Sequence, residues 1–443
     1  MKTLQKGDKK LLNAWAFYDW ANSAYSLVIA SAIFPIFYEM IFKNRGNNVV
    51  YFLGYEIKDT AMITFVTALA FLIVAFISPF LSGIADYVGN KKAFMRFFCY
   101  LGGLSCISLY WFTADNFFLS YTSYLLGLIG FWASLVFYNS YLPDIAYPEQ
   151  QDKVSAKGFS MGYLGSTILL VINLGMVMFP DKFYITAENP DRAREIAMRT
   201  SFLMVGIWWI GFSHITYYYL PKGNKGNKLT RAVLFDGFKE LKSVWKQMKQ
   251  NLPLKRYLSS YFVFIMAVQT VMLVATYFGA QEVKWETSSQ QTTGLIISIL
   301  VIQLVAILGA FLTSRASGKF GNINTLIFLN AFWALLCVFA YFVEEPNEFY
   351  LVAGFVGLVM GGIQSLARST YSKLLPETQD TTSFFSFYDV TEKIGIVIGM
   401  SIYGIIDQVT GSMRNSIVFL GLFFVIGVIL LLRIPKNALQ KEK

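Results

Sequence analysis

The chain has 443 residues, 55% of them hydrophobic and only 14% charged, with a mean hydropathy of +0.50. A soluble domain carries about a quarter charged residues, so this composition excludes a water-soluble globular protein and points to a membrane protein. The formal charge of +10 has no basic soluble domain to reside in, which argues against a nucleic-acid partner.

Twelve apolar runs recur along the chain, each long enough to cross a hydrocarbon core of about 30 Å as a helix. They fall at 13–41, 60–84, 93–113, 117–141, 157–180, 200–220, 257–280, 292–313, 323–343, 349–371, 383–407 and 414–434. The predicted fold is an all-α membrane protein of twelve transmembrane helices. The basic N-terminus MKTLQKGDKK leads into a first run too long, too aromatic and too polar at its start for a cleaved signal peptide, so that run is read as a retained helix. It opens with FYDWANSAY, in which Asp19, Asn22 and Ser23 share one helix face while Tyr18 and Tyr25 share a neighbouring one.

The loop after the second run reads SGIADYVGNKK, with Asp86, Gly89, Lys91 and Lys92. Run four carries Tyr138, Asn139 and Tyr141, and the loop beyond it reads YLPDIAYPEQQDKVSAKGF. His214, near the end of run six, is the one histidine, and a satisfied or interfacial ring is favoured over a proton relay. Cys99, Cys106 and Cys337 all fall within runs, as small apolar fillers, so neither a disulfide framework nor a zinc site is expected.

The longest polar connection divides the chain into an N-terminal six-helix bundle at 1–220, a basic linker at 221–256 and a C-terminal six-helix bundle at 257–443. Inside the linker, Leu234, Phe238, Leu241, Trp245 and Met248 recur at helical spacing, with Arg231, Lys239, Lys242, Lys246 and Lys249 elsewhere on the wheel. That is the pattern of a helix lying on an anionic membrane surface. Lys2, Lys6, Lys9, Lys10, Lys91, Lys92, Arg96, the linker, Lys436, Lys441 and Lys443 all fall in one set of loops. The opposite set, with Lys43, Arg45, Lys182, Arg192, Arg194 and Arg199, is poorer in Lys and Arg. Both termini are therefore expected to be cytoplasmic.

Beyond the linker, run seven holds Gln269 and Thr270, run ten holds Gln364, Ser365 and Arg368, and run eleven holds Asp389, Glu392 and Lys393. An ionisable group at the membrane centre costs about 2.5–3.5 kcal/mol on insertion scales, so such residues need partners, water or a function. Asp389 and Lys393, four apart, can pair on one face with Glu392. Asp19 and Glu392 are then the acids in excess. The cluster reads equally as a structural ion-pair network or as groups that take up and release a proton in a cycle. Arg368 is read as closing a gate with Asp144, binding a carboxylate or reaching to the interface.

The halves echo each other. Pro148-Glu149 and Pro376-Glu377 follow runs four and ten, and SGIADYVGNKK is answered after run eight by SRASGKFGN. A duplicated six-helix unit suits a transporter that rocks two pseudo-symmetric halves about a midplane site.

SGIADYVGNKK resembles the signature between helices two and three of the major facilitator superfamily, with Asp86, Gly89, Lys91 and Lys92 at matching positions. Ser82 replaces a usual glycine and Tyr87 a frequent arginine. In the second copy Gly318 stands where the acid would be, which predicts that only the N-terminal half keeps the lock. NAWAFYDWANSAY, FYNSYLPDIA, VSAKGFSMGYLG, Trp208-Trp209, VQTVMLVATYFG, GGIQSLARSTYSKLLPE and FFSFYDVTEKIG, in that order, resemble the branch that includes the autophagy-related vacuolar amino-acid effluxers and their bacterial relatives. Many relatives carry Asp-Gly before Val-Gln-Thr, where this chain has Met266-Ala267, so no role of that carboxylate carries over.

The resemblance implies a major facilitator fold with a cavity lined by helices one, four, seven and ten. Asp19, Asn22, Tyr18, Tyr25, Tyr138, Asn139, Gln269, Gln364 and Arg368 are then the expected substrate or ion path. Asp389, Glu392 and Lys393 form a buried charge cluster, and Asp86, Gly89, Lys91 and Lys92 a cytoplasmic gate. Small polar residues gluing helix to helix are the competing explanation of the stripe on run one.

The implied function is secondary transport of a small polar or zwitterionic solute, most simply an amino acid, with protons as a candidate coupling ion. A sugar or drug carrier, or a transport-inactive receptor or scaffold, are the alternatives. No nucleophile-base pair, metal constellation or P-loop points to an enzyme or to a cofactor. The expected setting is the inner (plasma) membrane of a bacterium, with the lipid bilayer and a small-molecule substrate as partners and the monomer as the unit.

Overall fold

The structure is a computed structural model that describes residues 4–45, 49–52, 54–221, 223, 233–435 and 438–439. Lys2, Arg231, Lys436, Lys441 and Lys443 lie outside the described residues. Among the described residues, eleven long helices are apolar enough to cross a membrane. They are α1 (Lys9–Phe42), α2 (Ala61–Val88), α3 (Lys91–Trp111), α4 (Phe117–Ile145), α5 (Pro148–Met178), α6 (Pro190–Tyr219), α7 (Leu252–Glu282), α8 (Thr293–Phe320), α9 (Asn322–Tyr341), α10 (Pro346–Leu374) and, after the next helix, α12 (Met413–Leu432). The remaining long helix, α11 (Thr381–Thr410), carries Asp389, Glu392 and Lys393 in its interior.

Local chemistry sets the helix starts. Asp8 caps α1 by accepting from the Lys10 amide, and Asn116, Asn189 and Asn251 cap α4, α6 and α7 in the same way. Pro148, Pro190 and Pro346 open α5, α6 and α10, where a missing amide proton costs nothing. Two features depart from the sequence reading. Within α1 the segment Tyr25–Ile33 is π-helical, and a hairpin pairs Val49–Phe52 with Tyr55–Lys58 in the first outer loop. The hairpin turns at Gly54, φ +85°, between β-prone residues.

The described ends of the chain lie at one end of the molecule, the linker face. There the Gly7 amide donates to the Ile145 carbonyl at 2.7 Å, Lys92 to the Leu220 carbonyl at 2.8 Å, and Arg256 to the Arg433 carbonyl at 2.5 Å. Packing repeats between the halves. The contacts of α1 on α5 and α6, and of α3 on α4 and α6, recur as α7 on α11 and α12, and α9 on α10 and α12. One apolar core is built from α1–α6 and another mainly from α7–α12. The halves meet along two seams, α2 against α11 and α5 against α8 and α10.

The linker helix (Val233–Gln250) does not simply rest on lipid as its pattern predicts. It packs on α2 and buries Val244 and Met248, while Trp245 stays 46% exposed, its ring 5.4 Å from that of Phe387 on α11. Val244, absent from the predicted apolar stripe, is the residue that docks it.

Candidate functional site

The polar face of α1 meets α5 along a groove of glycines. A Cβ at Gly158 would overlap the Asp19 carboxylate, and one at Gly162 the Ser23 hydroxyl, so the helices come this close only because those side chains are absent. Asp19 Oδ2 accepts from the Tyr138 hydroxyl at 2.8 Å and from Nη1 and Nη2 of Arg368 at 3.3 Å each. Arg368 reaches across from α10 in the second half. Its Nη1 also donates to Asn139 Oδ1 at 3.2 Å, its Nε to Ser155 Oγ at 2.9 Å and its Nη2 to the Ser155 carbonyl at 3.0 Å. All five guanidinium protons are thereby used. The rings of Phe159, Trp15 and Tyr138 surround the cation at 4.3, 4.8 and 5.5 Å. Both charged side chains are under 10% exposed, so this is a buried pair, its guanidinium fully bonded, that joins the halves.

Several expectations change here. Arg368 does not pair with Asp144, which Lys91 holds instead, because the Arg368 side chain is aimed into the seam. Asp19 is not an acid in excess; Arg368 is its counter-charge. Tyr18 and Tyr25 are buried among the aromatic side chains of the first half. The Tyr18 ring lies 4.9 Å from Tyr138 and 6.3 Å from Tyr217, and that of Tyr25 lies 5.0 Å from Phe131 and 5.7 Å from Trp209. Asn22 is 1% exposed, with its Nδ2 unpartnered among the described residues. Gln364 accepts from Tyr163 across the seam at 3.0 Å.

Two further clusters tie the halves at the linker face. In the first, Asp86 at the end of α2 accepts from the backbone amides of Ser383 at 2.6 Å and Thr382 at 3.2 Å, at the N-terminus of α11. Gly89 closes α2 in the left-handed region, φ 68°. Lys91 binds Asp144, Thr381 at 2.9 Å and the Ser140 carbonyl at 3.0 Å, while Lys92 turns to α6.

In the second cluster, Asp152 in the first turns of α5 accepts from Lys373 at 2.6 Å, Asn322 at 2.9 Å and Ser317 at 3.0 Å. Both carboxylates at these seams, Asp86 and Asp152, belong to the first half. Gly318 leaves its position without an acid, and Asp152 supplies the carboxylate from the other side of the seam. Sequence reading missed Asp152, Ser155, Phe159 and Trp15. The glycine spacing in KGFSMG was the available signal for the close approach of α1.

Higher in the second half, Lys393 pairs with Asp389 at 2.7 Å, as the four-residue spacing predicted, and lies 3.5 Å from Glu392. Gln269 on α7 donates to Glu392. His214 sits at the rim of the linker face, bonded to Tyr100 at 3.1 Å and to the Ile210 carbonyl at 2.8 Å. The three cysteines are buried and free.

Two six-helix halves, joined by polar clusters at one face of the membrane, define a transporter of the major facilitator type. The solved structures agree. A variant of the E. coli fucose:proton symporter FucP superposes with a TM-score of 0.67 at 14% identity, covering 96% of this chain and 98% of that one. FucP in its outward conformation gives a TM-score of 0.68. Residues 7–443 match the family described as "Vacuole effluxer Atg22 like", and the chain belongs to that family. It is 30% identical to an uncharacterized MFS-type transporter, YxiO of Bacillus subtilis, over 98% of this chain and 97% of that protein. It is 24% identical to autophagy-related protein 22-2 of Aspergillus oryzae, over 87% of this chain and 75% of that one.

Proposed function

We propose that this membrane transporter moves small zwitterionic solutes, amino acids first among them, by alternating access, with residues 1–220 and 257–443 rocking as two bodies about the linker 221–256. The observation that carries the alternating-access reading is the placement of the polar bonds between the halves. Asp19–Arg368, Asp86 with the start of α11, and Asp152–Lys373 all lie towards the linker face. These bonds close the linker face, and they must break for the cycle to turn. The excess of Lys and Arg in the linker-face loops favours that face as the cytoplasmic one, so the proposed state is closed towards the cytoplasm, in a bacterial plasma membrane.

Efflux is favoured because the matching family is described as "Vacuole effluxer Atg22 like", and amino acids because carboxylates and cations side by side suit a zwitterion. Export is the proposed direction. Protonation of Asp19 would release Arg368, which offers a route to proton coupling. One chain supplies both halves of the path, so the monomer is the proposed unit.

The test is uptake and counterflow in proteoliposomes across amino acids, sugars and lipophilic cations, with and without a pH gradient. Amino-acid counterflow that vanishes in Asp19→Asn and Arg368→Ala supports the reading. Transport of sugars or drugs alone would replace the substrate while leaving the mechanism, and no flux of any solute would favour the receptor alternative.

A further inference from the structure

The carboxylates of α11 hold more negative charge than the structure balances. Lys393 Nζ has three protons and three partners: Asp389 Oδ1 at 2.7 Å, Glu392 Oε2 at 3.5 Å and the ring of Trp132, whose centroid lies 3.5 Å away. Trp132 belongs to α4, in the other half. Asp389 is 5% exposed, and its Oδ2 is buried without a partner among the described residues. Among the described residues Glu392 has one further hydrogen bond, from a neutral donor, Gln269 on α7.

Two carboxylates and one ammonium leave one negative charge uncompensated, and an excess charge in such surroundings calls for a counter-ion. Glu392 is also the most accessible of the three, 14% exposed against 7% for Asp389 and 1% for Lys393. At about 1.5 Å rise per residue it stands roughly 17 Å along α11 from the linker face, beyond the linker-face seal.

We propose that Glu392, Asp389 and Gln269 bind a primary ammonium group, the amine end of the transported solute. An ammonium has three N–H donors. The free Asp389 Oδ2, a Glu392 oxygen and the Gln269 carbonyl oxygen are three acceptors for it, and its charge neutralises the cluster. Because Trp132 and Lys393 face each other across the halves, filling this site is felt at the seam between them. The inference rests on the transport reading above and assigns which end of the solute is recognised here.

The experiment is binding to the purified wild-type protein, by calorimetry and thermal shift, of matched compounds: several neutral amino acids, the primary amines lacking their carboxylate, and the acids lacking their amine. Na⁺ and pH are varied as controls. The expected result is that amines and amino acids bind while the deaminated acids do not. Glu392→Gln should weaken amine binding by on the order of thirtyfold or more, as loss of one partner of a buried charged contact does.

The wild-type comparison needs no variant, so a poorly folding Glu392→Gln cannot obscure it. Equal binding of the deaminated acids, a response to Na⁺ or pH alone, binding of none of the amine-bearing compounds, or unchanged amine affinity in Glu392→Gln would each overturn the assignment. Amine binding at Glu392 without flux of any amino acid would sink the amino-acid transport reading and leave this site standing.

Discussion

The two linker-face gates perform one task with the acid on the same side of each seam and different partners opposite it. At the α2–α11 seam the first half supplies the acid, Asp86, and the second half answers with backbone amides at the start of a helix. At the α5–α8–α10 seam the second half supplies Lys373, Asn322 and Ser317, and the acid, Asp152, comes again from the first half. What the duplication preserves is the location of the contact, not the residue that carries it. The gates should therefore differ in what breaks them: a helix N-terminus tolerates loss of its acid better than a largely buried lysine tolerates loss of its counter-ion.

Arg368 lies in the seam between the halves and tests whether the gates share a clamp. Arg368→Ala leaves Asp19 buried without its counter-charge, a loss that costs about 3–5 kcal/mol where measured in other proteins. Thermal unfolding in detergent should show a larger drop for this variant than for a single substitution at either gate. Spin labels placed on either side of the linker face should report a longer distance. Adding Asp19→Leu should restore part of the stability, and additive losses would show that the pair does not act as a unit.

The gates themselves come next. Asp152→Ala strands Lys373 and should cost about 3 kcal/mol, whereas Asp86→Ala removes an interaction with a helix N-terminus and should cost about 1–2 kcal/mol. Equal losses would break the comparison. A larger effect from Asp86 would restore the simpler view that the first half alone locks the molecule.

How much of this could be seen beforehand depends on range. The twelve apolar runs, the Asp389–Lys393 pair and the acid-glycine-lysine loop are local patterns, and local patterns are what periodicity reports. Asp19 and Arg368 were each legible as costly charges in lipid, but their partnership joins α1 to α10 and no spacing encodes it. Tyr18 and Tyr25 went astray because the helix wheel gives relative faces only. The glycines of α5 decide which face of α1 meets the seam. Asp152 was hidden for a different reason: it stands in a polar loop sequence where an acid is unremarkable, and it gains meaning only once α5 has been laid against α10.

The smallest effect is expected at the outer face, where Lys284 and Glu344 join two loops of the second half. Neither residue crosses to the other half, so the pair should have no part in gating, and Glu344→Gln should leave the spin-label distances across the linker face unchanged. Its signature is in pH. Lys284 holds the Glu344 carboxyl below the usual carboxylate range, so the folded protein keeps this group ionised where an unfolded chain, with a pKa of about 4.3, would take up a proton. The contribution is fully present above that value and fades as pH falls through the lower folded one. Both side chains are more than half exposed, so screening keeps the effect slight. Thermal unfolding of wild type and Glu344→Gln should thus differ marginally near neutral pH and converge on acidification. A gap that widened towards low pH, or that shifted the gates, would mean that the two faces are coupled in a way their separate contacts do not provide for.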